Sequence, residues 1–158
     1  MDKIQKVKSI TLWIFFIPLI AINTCLIIVI HFQEWLAVGD GIGPTIPYFD
    51  GGTSISRTAR IFPTYFIFKP AMFLTSYLLI KYWLFNKEII AYFDKNHKHI
   101  KKIVFFGIAS AIFLTLHSIF LGIKFDNDFY KLFRRIVMLC FIIFEIVAQT
   151  YLVVSIYS

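Results

Sequence analysis

"ITLWIFFIPLIAINTCLIIVIHF", Ile10 to Phe32, runs without a single Lys, Arg, Asp or Glu. A helix needs about 20 apolar residues to cross a hydrocarbon core about 30 Å thick, so this stretch alone is long enough to span a bilayer. Three further runs of similar length and character follow, Phe62 to Phe85, Ile103 to Ile123 and Ile136 to Ile156. Lipid offers no hydrogen-bond partners, so a spanning segment is a helix or part of a closed barrel, and long apolar runs without period-two alternation exclude the barrel. The expected fold is therefore an all-α integral membrane protein. It has four transmembrane helices in one bundle (10–32, 62–85, 103–123, 136–156), a single domain over 1–158, and a long loop between the first two.

Composition agrees. The 158 residues are 59% hydrophobic and 19% aromatic, with a mean hydropathy of +0.77, against about 45–50% apolar residues in a soluble domain. The first run follows Lys3, Lys6 and Lys8 as a signal peptide would. Yet it is too long for a signal h-region, carries Pro18 and Asn23, and has no small-x-small cleavage site after it, so it reads as a retained helix. Cys25 and Cys140 lie inside spans at no metal-binding spacing and read as small packing residues.

Lys and Arg set the expected orientation. Lys3, Lys6 and Lys8, together with Lys81, Lys87, Lys95, Lys98, Lys101 and Lys102, place both termini and the second-to-third connection on the cytoplasmic side. Which membrane holds the chain is not encoded. The net charge of +7 is what basic loops at anionic headgroups produce, and no nucleic-acid-binding module surrounds the basic run 94–102. His97 and His99 are too few to hold a metal, and no cofactor is indicated beyond room for a bound phospholipid.

Charged groups within a span cost about 2.5–3.5 kcal/mol at its centre, which singles out Lys69 and Glu145 as an expected inward-facing pair. With depth counted from the ends of the apolar runs, Asn23 and His117 fall at a similar level, and Gln149 stands one turn from Glu145. Asn23, Lys69, His117, Glu145 and Gln149 thus form a candidate intramembrane polar cluster. Each also has a plainer reading: Lys69 snorkels, His117 packs, and Asn23, Glu145 and Gln149 bond helix to helix. Pro70 is expected to kink the second helix beside Lys69.

The segment 33–61 is long for a helix connection. Its Trp35, Leu36, Tyr48 and Phe49 suit packing at an interface, and its glycines with Arg57 and Arg60 suit a phosphate. Tyr48, Asp50, Arg57 and Arg60 are the candidate lipid-headgroup residues. A packed cap explains the same composition.

This region resembles the Frag1/DRAM/Sfk1 family of polytopic membrane proteins. Pro47, Tyr48, Ile61 and Phe62 fall where that family's loop signature places them. Asp50-Gly51 replaces its Ser-Asp step, and Ser56-Arg57 replaces its proline pair. Glu145 matches an acidic position in its final helix. Family members usually have five or six spans. The resemblance implies lipid remodelling or distribution, or autophagy-linked roles, without a catalytic constellation to carry over.

No nucleophile elbow, P-loop or HExxH is present, so the sequence gives enzymatic chemistry no direct support and names no catalytic residue. Two functions stay open. The simpler is a noncatalytic accessory subunit packing its aromatic helices against larger membrane partners, since small-xxx-small patterns are few, Gly107 with Ala111 the clearest, and the four helices would pack loosely alone. The alternative is a lipid-handling protein with an outer-leaflet headgroup site.

Overall fold

A computed structural model describes residues 3–32, 47–50, 58–59, 61–93, 98–121, 123 and 128–157. Four long helices dominate: α1 (Lys3–His31), α3 (Tyr65–Phe93), α4 (Ile100–Phe120) and α5 (Asp128–Tyr157), with α2 (Pro47–Asp50) a single turn. Helices α1, α4 and α5 are long and apolar enough to cross a membrane. Helix α3 is equally long, but Lys69, Lys81 and Lys87 make it less apolar.

The helices overrun the apolar runs. α1 begins at Lys3 rather than Ile10, α3 continues to Phe93 rather than Phe85, and α5 begins at Asp128 rather than Ile136. Hydropathy marks where the solvent changes, while backbone hydrogen bonding carries a helix on through the headgroup zone. Helix α3 is unbroken through Pro70 and α1 through Pro18.

Neighbours in the chain are neighbours in space: α1 packs on α3, α3 on α4 and α4 on α5. Lys3 Nζ pairs with Glu88 at 2.9 Å, and His99 stacks on Tyr151 with ring centroids 5.2 Å apart. These contacts gather the start of α1, the end of α3, the start of α4 and the end of α5 at one end of the bundle. At the other end Tyr130 donates to the Phe120 carbonyl at 2.7 Å, and the Cys25 thiol reaches the Thr64 carbonyl at 3.5 Å.

Lipid supplies no hydrophobic push between helices, so close packing and polar contacts must hold them together. The α3–α4 pair does this. Gly107 lacks a side chain where the indole of Trp83 lies; a Cβ there would overlap Cγ and Cδ2 of the ring. One turn on, Ser76 Oγ donates to the Ala111 carbonyl at 2.7 Å and lies 2.6 Å from Thr115 Oγ1. Gly107 and Ala111, the clearest small-xxx-small pattern in the sequence, therefore seat α3.

Candidate lipid-binding cleft

Helices α1 and α5 flank the α3–α4 pair without packing closely on each other, and a cavity of about 500 Å³ lies between them. Each helix contributes one stripe at helical spacing. Ile14, Pro18 and Ile22 come from α1; Phe68, Met72, Thr75 and Leu79 from α3; Leu114, His117 and Leu121 from α4; Met138, Phe141 and Glu145 from α5. Intervals of three and four residues keep a stripe on one helix face. Pro18 has no N–H to give the Ile14 carbonyl, so the α1 wall is relieved of one helical hydrogen bond.

Glu145 closes the inner end. Its Oε2 accepts from Ser110 Oγ at 2.6 Å and from Trp83 Nε1 at 3.3 Å, while Oε1 accepts from Gln149 Nε2 at 2.9 Å. Ser110 Oγ also lies 2.8 Å from the Gly107 carbonyl. Tyr82 sits beside Gln149 and Asn86 and extends this polar layer across α3. Three donors occupy most of the roughly four acceptor positions of a carboxyl group.

The expected Lys69–Glu145 pair is not formed. The ion pairs among the described residues are Lys3–Glu88 and Lys131–Asp128. Glu145 is level with Trp83, which follows Lys69 by about 21 Å along α3. Depths measured from the ends of the apolar runs are similar, whereas α5 begins at Asp128, eight residues before its apolar run at Ile136, and so sets Glu145 far deeper than Lys69.

His117 belongs to the outer end of the cleft. Its ring is within hydrogen-bonding reach of the Arg134 main chain and close to the Arg134 guanidinium, while its Nδ1 is buried without a partner among the described residues. Asn23 is held near this end too: Tyr48 Oη donates to its Oδ1 at 2.9 Å, and its Nδ2 donates to the Leu19 carbonyl at 2.7 Å. The cluster inferred from sequence is thus two groups, Glu145 with Gln149 at the inner end and Asn23 and His117 nearer the outer.

Of the loop candidates, Tyr48 is the one with a described side chain, and it faces Asn23. The side chain of Asp50, and Arg57 and Arg60 entirely, lie outside the described residues. No protein-family profile, characterised protein or solved structure matches the chain. Three residues carry the site without having been singled out for it: Trp83, Ser110 and Arg134. The signal for Trp83 was a ring N–H that must find an acceptor wherever it is buried, and for Arg134 its place one turn before Met138 on the cleft-lining stripe.

Proposed function

We propose that this is a noncatalytic integral membrane protein whose cleft between α1 and α5 takes up one acyl chain of a bilayer lipid. The dimensions of the cleft carry this reading. From Phe68 to Leu79 it extends about 16 Å and from Leu114 to Leu121 about 10 Å. One leaflet of a hydrocarbon core is about 15 Å deep, so the cleft matches a single tail in length, and its volume falls within the about 300–1,000 Å³ usual for ligand pockets.

The accessory-subunit alternative would place a partner helix there. A bound partner segment and a bound acyl chain would compete for the same space, and the experiment below separates them. Lipid work is also what the Frag1/DRAM/Sfk1 resemblance implies. In this reading all four long helices cross the membrane. α3 is shielded on both sides by α1 and α4, and the lysine-rich end, with both termini, faces the cytoplasm.

Mass spectrometry of lipid retained by the detergent-purified chain tests the proposal. Leu114→Trp should fill the cleft and strip retained lipid, as should Ile14→Trp on the opposite wall, while Ile112→Trp on the exposed side of α4 should leave it in place. Equal lipid in all three folded variants would refute the reading, and a stoichiometric protein partner in place of lipid would favour an accessory subunit.

A further inference from the structure

Arg134 and His117 meet at the outer end of the cleft, and each buries a polar atom, Arg134 Nε and His117 Nδ1, that has no partner among the described residues. Buried polar groups are nearly always satisfied, and an orphan calls for an explanation such as a missing ligand. Here the two orphans belong to neighbouring residues on different helices.

Their position is informative. Residues 134, 138, 141 and 145 follow one another at intervals of four, three and four, so Arg134 stands on the α5 face that lines the cleft, one turn outward from Met138. His117 lines the cleft itself. The apolar run of α5 begins at Ile136, which puts Arg134 at headgroup depth when the tail lies in the leaflet below. Its guanidinium packs against Tyr130, 5.9 Å from the ring centroid, a contact that steadies the side chain.

We infer that Arg134, with His117 beneath it, binds the phosphate of the lipid whose tail fills the cleft, making the ligand a phosphoglyceride rather than a neutral lipid. Guanidinium N–H groups match phosphate oxygens in a planar fork, and charge-assisted bonds of this kind are about twice as strong as neutral ones. His117 Nδ1, when it carries a proton, adds a second donor from the α4 side. This inference rests on the tail-binding reading and adds the chemistry of the headgroup to it.

The test offers the purified full-length chain, in detergent, equal amounts of phosphatidylglycerol and of diacylglycerol with the same tails. The ratio retained is read by mass spectrometry. Wild type should prefer phosphatidylglycerol. Arg134→Gln should lower its retention about tenfold with diacylglycerol unchanged, His117→Gln should act in the same direction, and Arg135→Gln, on an exposed side of α5, should do neither. If wild type and Arg134→Gln hold both lipids in the same ratio, the headgroup assignment is overturned while the cleft stands. If wild type holds neither lipid, the cleft reading itself fails. Equal losses in Arg134→Gln and Arg135→Gln would show general charge attraction and overturn the site. Displacement of phosphatidylglycerol by inorganic phosphate with diacylglycerol still retained would reassign it to a free anion.

Discussion

Gly107→Ala adds one methyl group at the tightest contact between α3 and α4. The new Cβ would overlap Cγ, Cδ2 and Cδ1 of Trp83. These are the ring atoms nearest the Trp83 backbone, so the indole cannot yield without moving as a whole, and it is fully buried. Overpacking of this kind costs about 1–3 kcal/mol. Shifting the ring also weakens its N–H bond to Glu145, and hydrogen bonds between membrane helices average about 0.6 kcal/mol. Alanine returns about 1 kcal/mol of helix propensity, leaving a net loss of about 0.6–2.6 kcal/mol. For a chain of this length that is a midpoint about 5 °C lower. Thermal unfolding in mild detergent, followed by Trp83 fluorescence in a Trp13→Phe, Trp35→Phe background, measures it. Gly107→Ala combined with Trp83→Leu, followed by circular dichroism, should cost less than the two single changes added together. A Gly107→Ala midpoint equal to or above wild type would refute the close-approach account.

Ser110→Ala removes the shortest bond to Glu145 and should destabilise by about 0.5–1.5 kcal/mol; Ser155→Ala, whose hydroxyl bonds only within α5, serves as the control. Lys69→Met and Glu145→Gln should add to within about 0.5 kcal/mol in melting experiments, as distant sites do, whereas strong coupling would restore the buried pair. Tyr48→Phe should lower stability by about 1 kcal/mol through loss of the bond to Asn23, and Asn23→Ala should make the Tyr48 change neutral. In a Cys25→Ser, Cys140→Ala background, a cysteine at Phe49 should react with an impermeant thiol reagent on intact cells and one at Lys98 only after permeabilisation; the reverse would invert the orientation.

The helices were legible because hydropathy reports solvent directly, and the apolar runs lie largely within the helices found. Glu145 with Gln149 was legible because four residues bring two side chains together on any helix. Depth between helices was not. Apolar runs end at different places relative to the helices containing them, so Lys69 and Glu145 looked level when they are far apart. The cleft was hidden for a related reason: Ile14, Leu114 and Phe141 are ordinary apolar residues. Only the separation of α1 from α5 turns their stripes into walls. Gly107 and Ala111 revealed a close helix contact but not its partner, because small residues specify an approach distance and leave the identity of the neighbour to Trp83 and Ser76.

The least apolar long helix is the one flanked on both sides, and this bears on how the chain is made. α3 emerges from the ribosome after α1 and before α4. Until α4 arrives, Ser76 has no Ala111 carbonyl to meet, and Trp83 has neither the Gly107 notch nor Glu145. Newly synthesised α3 must therefore wait beside α1 or at the insertion machinery with the Ser76 hydroxyl and the Trp83 ring unsheltered. If α3 spans the membrane as proposed, its commitment is made by a segment not yet translated when it first appears. Chains halted after Phe93 should consequently be poorly integrated, and extension through Phe120 should rescue the helix before it.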